Sequence, residues 1–314
     1  MNMKDMELQP HAMIDIEKIL ADWAAEWNET PETCTEEWEL TAFPVLTEGL
    51  LALQFEHSVD RYWAEGEDLY SQNVERQYRI LVYDCATGEK TGQYRFRVEF
   101  GHSATVFFHE GALYAAIAAD GETDYTAVRM WPAAEADEEP IELGGYINCM
   151  AVRSNGEIIV SCTRDPGEEI PEGPALQIFR PGMPPQALNL EDGFYVRDIY
   201  LDTDENLWLT CSDEKTVVAM IGSKLLAHTL PIPDVLSVAV PTDRSRMYVV
   251  QNLPFGPELV CIPMERIGDD AEPRYCRIET VDGTQAVLTS ASFLKNYAVL
   301  QFEQKLYIVD LDRQ

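Results

Sequence analysis

Basic side chains are scarce in this chain: 23 Lys and Arg stand against 55 Asp and Glu in 314 residues, a formal charge of −32. A field of that sign repels nucleic-acid phosphates and anionic lipid, so neither is an expected partner, and it attracts basic proteins, peptides, small cations or metal ions. No apolar run approaches the roughly 18 residues that a membrane-spanning helix needs. The opening MNMKDMELQPHAMIDIEKIL lacks the basic start, apolar stretch and small-residue cleavage site of a secretory signal, and a cytoplasmic protein is expected. The seven cysteines (Cys34, Cys85, Cys149, Cys162, Cys211, Cys261 and Cys276) include no C-x-x-C pair and no zinc-ligand spacing, so free thiols are expected. Also missing are a G-x-S-x-G elbow, a phosphate-cradling G-x-x-x-x-G-K and a dinucleotide-binding G-x-G-x-x-G. The histidines (His11, His57, His102, His109 and His228) form no H-x-x-x-H pair, and His109 with Glu110, ahead of Gly111 at a turn, is expected in solvent.

What the chain does contain is a repeat. Six times, roughly every 40 to 60 residues, an apolar segment turns through Gly, Asn or a charged pair into a second apolar segment. The copies are AFPVLTEGLLALQF (from Ala42), ATVFFHEGALYAAIA (from Ala104), INCMAVRSNGEIIVSC (from Ile147), VRDIYLDTDENLWLTC (from Val196), VLSVAVPTDRSRMYVV (from Val235) and LTSASFLKNYAVLQF (from Leu288). Short alternating segments bounded by turn residues read as the first two strands of a sheet. Further apolar segments, such as TVVAMIG and LLAHTLPI after the fourth copy, supply strands three and four. The expected fold is therefore all-β, a six-bladed β-propeller. The sixth copy ends at Gln314 with three strands made, and EEWELTA (Glu36 to Ala42) is expected to close the ring by lending the outer strand from the N-terminal side. Ahead of it Ile16, Ile19, Leu20, Trp23 and Trp27 recur at helical spacing, predicting an amphipathic helix over residues 12–28. Residues 1–35 thus form an extension whose helix caps the propeller or docks a partner, and residues 36–314 form the propeller.

In such a ring the loops joining strands two and three share a face with the links between blades. Three of these loops are long here: Glu56 to Gln77, Thr163 to Pro174 and Asn252 to Glu258. Binding residues concentrate on long loops of a rigid scaffold. These combine the aromatics Tyr62, Trp63 and Phe255 with the acids Asp60, Glu67, Asp68, Asp165, Glu168 and Glu169. Such a rim suits a cation through charge attraction and cation-π contact. DTDENLW (Asp202 to Trp208) lacks the glycine and terminal glutamate of a calcium loop and is expected to be a hairpin turn.

The phrases INCMAVRSNGEIIVS and LDTDENLWLT resemble blade phrases of six-bladed propellers of the senescence-marker/gluconolactonase family and of NHL-repeat proteins. The resemblance implies a divalent metal, such as calcium, over the central channel, held by a Glu, two Asn and an Asp at the starts of inner strands. Asn148 stands where one family asparagine would be. Ala42 replaces the family glutamate, and Arg197 takes the place of the aspartate, with Asp198 one residue out of register. Two functions are compatible with these features. One is a non-enzymatic scaffold, without cofactor, for a basic protein, peptide or small cation on the acidic and aromatic face. The other is a metal-dependent hydrolase of lactones or phosphoesters built on Asn148 and Asp198.

Overall fold

The six sequence copies become six blades in the computed structural model, which describes residues 5–24, 33–35, 38–46, 49–65, 68–99, 101–119, 124–131, 140–144, 149–161, 176–180, 183–188, 196–211, 216–221, 224–266, 272–278 and 287–314. Each blade is an antiparallel sheet whose first strand lies innermost. Blade 4 is typical: Val196–Leu201, Leu207–Cys211, Thr216–Ile221 and Lys224–Thr229 pair in chain order. Its second strand is buried at every position, and its outer strand is almost wholly exposed. That gradient follows from a strand covered on both faces by neighbouring blades and one at the rim.

Every blade turns from its first to its second strand through a left-handed residue. These are Gly49, the pair Glu110 and Gly111, Gly156, Glu205, Arg244 and Lys295, with φ between 49° and 82°. The short reversal between right-twisted strands demands positive φ, whatever residue supplies it. At the fourth turn, DTDENLW is the hairpin its composition implies. Asp202, 1% exposed, accepts hydrogen bonds from the backbone of Asp204 and Asn206, from Trp208 Nε1 (3.1 Å) and from Arg244 Nη2 (3.1 Å) of blade 5. Glu205 meets Lys295 of blade 6 (3.3 Å) and accepts from the Ser154 amide of blade 3 (3.0 Å). This one turn therefore joins four blades on the face opposite the strand-two-to-three connections.

Closure differs in detail from expectation. The outer strand of blade 6 is Ala12–Asp15, antiparallel to Lys305–Asp310, with Ile14 buried and Met13 exposed as strand alternation requires. Glu39–Ala42, taken from the sequence as part of that strand, instead pairs with Leu50–Glu65 inside blade 1. Register explains the difference: Glu39–Ala42 continues directly into Phe43 and Val45–Leu46, so the inner strand of blade 1 begins earlier than the repeat suggests. A further segment, Met6–Leu8, adds to blade 5 in parallel with Arg274–Ile278 and buries Leu8 completely. The N-terminal residues thus fasten two adjacent blades.

The helix is correspondingly shorter, Ile16–Ala24, because residues 12–15 are strand; Trp27 lies outside the described residues. It caps the ring. Ile16 and Trp23 are buried, and the Arg79 guanidinium of blade 1 sits 4.7 Å from the Trp23 ring and 4.6 Å from that of Trp38. Trp23 also meets Phe55 edge-on, and His57 stacks on Trp38. A desolvated guanidinium between indoles is a strong cation-π arrangement. His109 is likewise not in solvent: it is 4% exposed and packs edge-on against Tyr114, and burial lowers its pKa.

Candidate functional site

Two features occupy the face bearing the strand-two-to-three connections: an aromatic arm and the mouth of the central channel. The arm corrects the reading of Glu56 to Gln77 as a loop. Leu50–Glu65 and Asp68–Asp84 are continuous paired strands, 16 and 17 residues long, whereas the second strand of blade 2 has 8. The extra length carries the hairpin roughly 26 Å beyond an ordinary blade at about 3.3 Å per residue. Thr33–Thr35 pairs alongside at Val59 to Arg61 and stiffens it. Backbone pairing runs through SVDRYWAE against LYSQNVER with a single slip between Val59 and Asp60, and Trp63 lies directly across from Tyr70. Their rings stack 5.7 Å apart, and both remain about 40% exposed. Asp60 and Tyr62 belong to the same strand and Asp68 opens the next; Glu67 lies outside the described residues, as do Asp165, Glu168 and Glu169.

Phe255 stands at the corresponding turn of blade 5, between Arg246–Leu253 and Gly256–Pro263, and is 97% exposed. Gly256, at φ 121°, lets the chain reverse there. The structure therefore places Trp63, Tyr70 and Phe255 on one face, each presenting apolar area to solvent.

The channel mouth is shaped by a recurrent bulge. In four blades the pairing of the first two strands slips by one residue near its start, at Thr41, Arg197, Leu236 and Thr289. An extra residue in one strand reverses the facing of the residues on its N-terminal side relative to those on its C-terminal side. In blade 4 the bulge directs Arg197 aside, to a 2.7 Å ion pair with Asp234, itself hydrogen-bonded to Asn252. Asp198 then faces the channel. It lines a cavity of about 430 Å³ formed by the inner strands of blades 1, 2, 3, 4 and 6, with Thr41, Thr105, Cys149, Ser290 and Ser292 among its walls. Burial pushes Asp198 up to about 7, offset only in part by the hydrogen bond from the Ile199 amide.

Asp198 is the one carboxylate on that wall among the described residues, where no group of three His, Cys, Asp or Glu side chains converges. Asn148 lies outside them. A divalent ion needs several hard oxygen ligands. Among the described residues this wall offers one carboxylate with neutral hydroxyls, and Ala42 offers no ligand. The sequence offers Asp198 as a candidate one residue out of register, but the bulge that turns it inward has no signature of its own in VRDIYL.

No known protein family matches the sequence, and no curated protein is similar to it. Several solved structures are similar to it at low identity. They include YCF48 bound to D1 peptide (10% identity, 90% of this chain and 98% of that one, TM-score 0.48). A virginiamycin B lyase from Staphylococcus aureus is similar at 12% identity over 86% and 82% of the chains, TM-score 0.45. A gluconolactonase from Xanthomonas campestris is similar at 14% identity over 75% and 81%, TM-score 0.42. No helix among the described residues is long and apolar enough to cross a membrane.

Proposed function

We propose that this protein is a non-enzymatic binding scaffold, acting in the cytoplasm, that holds a basic protein or peptide on the face carrying the arm. The observation that carries the reading is the exposed Trp63–Tyr70 stack on a buttressed hairpin, with Phe255 fully exposed on the same side. Aromatic anchors in a field of negative charge suit Lys- and Arg-rich partners, because charge steers the encounter and ring faces hold the cation once it docks. Cys85, Cys149, Cys211, Cys261 and Cys276 are free thiols, which accords with a reducing compartment.

The test is fluorescence anisotropy against an array of Lys- and Arg-rich peptides at about 150 mM salt. Trp63→Ala with Phe255→Ala should weaken the best binder roughly tenfold or more, the loss of an anchor of about 1–2 kcal/mol, with unfolding unchanged. Equal affinity for wild type and variant would remove this face from the reading. A metal-dependent hydrolase of lactones or phosphoesters has one observation in its favour, the turning of Asp198 into the channel. A stoichiometric divalent ion surviving dialysis would support it, and no thermal shift in calcium, zinc or manganese would remove it.

A further inference from the structure

The channel wall pairs one negative charge with neutral acceptors and apolar surface. Asp198 makes no ion pair among the described residues; its carboxylate is met by the Ile199 backbone alone. The carboxylates that the fold buries outright all have cationic partners: Asp202 has Arg244, Glu157 has Arg153 and Arg180, and Asp310 has Arg313. Asp198, half-buried at the cavity wall, has no such counter-charge among the described residues, and a carboxylate drawn partly out of water without one costs stability that an asparagine would not. Thr105 and Ser290, both exposed, line the same cavity. Beside them the wall turns apolar, with Phe107, Met150 and Phe293.

We propose that the channel mouth is a recognition site for a primary ammonium group on an alkyl stem. A single positive charge balances the single carboxylate. An ammonium has three N–H donors to satisfy; Asp198 brings the one carboxylate, and Thr105 and Ser290 bring neutral hydroxyls to the wall of the same cavity. The apolar wall accommodates methylenes. The ammonium can come from a free alkylamine or from a lysine side chain of a partner held on the surrounding face. This site stands apart from the arm, and its failure leaves the arm reading intact.

The test is calorimetric titration at about pH 8 with n-butylamine and, separately, with an acetylated, amidated peptide bearing one lysine among neutral residues, each at about 0.15 and 0.5 M salt. The site predicts one-to-one binding that weakens tenfold or more in Asp198→Asn and several-fold in Ser290→Ala, with both variants matching wild type in circular dichroism. Tighter binding of the free amine identifies a metabolite-like ligand, and tighter binding of the peptide identifies a lysine of a partner. No saturable binding of either probe overturns the proposal. So does binding that falls with salt equally in wild type and Asp198→Asn, because a diffuse field of −32 is almost unchanged by one charge.

Discussion

Asp198 shows how one side chain can work against the fold that contains it. In the unfolded chain its carboxyl ionises near 3.8, and in the fold near 7. Between those values the folded protein retains a proton that the unfolded chain has released. The contribution to stability is therefore fully present below about pH 4, declines as pH rises to about 7, and stays low above it. Asp198→Asn, neutral throughout, should raise the unfolding midpoint at about pH 8 by the equivalent of about 2 kcal/mol and leave it nearly unchanged at about pH 4. Thermal unfolding at the two pH values checks this, and an equal shift at both would mean that the effect is packing rather than charge. Arg197 beside it illustrates the opposite case. Its ion pair with Asp234 is about 30% exposed on each side and contributes little to stability, but it holds the cation away from the channel.

Among the elements, the turn Asp202 to Trp208 and the arm of blade 1 have contrasting tasks. The turn is rigid because a single buried carboxylate satisfies two backbone amides, an indole and a guanidinium together. Asp202→Ala would leave the two backbone amides and the Trp208 indole unpaired, while Arg244 keeps its 2.7 Å pair with Asp204, and should destabilise the protein by about 3 kcal/mol, since the buried indole cannot regain water. Chemical denaturation measures this; a change under about 1 kcal/mol would show that water replaces the carboxylate without cost. The arm is anchored at its base by Tyr78, which stacks on Phe96, and by Gln54, which bonds the Ala104 carbonyl and the Val106 amide of blade 2. Trp63 and Tyr70, farther out, meet each other and solvent. Trp63→Ala should therefore leave stability within about 0.5 kcal/mol of wild type, as at other surface positions.

For the ring as a whole, closure decides stability. Opening a propeller exposes strand edges on the first and last blades, and here Ala12–Asp15 covers the edge of Lys305–Asp310. Met6–Leu8 extends the fastening to blade 5. Removing residues 1–15 should lower the thermal midpoint by more than about 10 °C or abolish cooperative unfolding, because Leu8 and Ile14 are lost from the core along with two sets of ladder hydrogen bonds. Differential scanning calorimetry of the truncated chain reports the outcome; an unchanged midpoint would show that blade 6 is stable with three strands. The surface charge acts over the same extent, favouring basic partners from any approach while the aromatic arm determines where they dock.

Local pattern alone specified the blade count, the pairing of neighbouring strands and the hairpin at DTDENLW. Alternation and turn residues act within a few positions, so a repeat of them is visible without knowing what packs on what. Met6–Leu8, Ala12–Asp15 and Asp198 were different. The first two segments join strands 270 or more residues away in sequence, and a three- or four-residue apolar stretch carries no mark of its distant edge. The helical spacing of Ile16, Ile19, Leu20 and Trp23 was legible, but the strand ahead of it was not, because Ile14 fits either pattern. The run Glu56 to Gln77 looked like a loop because polar residues dominate it at odd and even positions alike, leaving no apolar alternation to mark a strand. Asp198 reaches the channel only because the backbone takes one extra residue at Arg197, and bulges arise from the fit between paired strands. The amino-acid sequence by itself determined the repeating sheets; only the closed ring decided which strand seals it and which carboxylate its channel receives, since both depend on contacts between residues far apart in the chain.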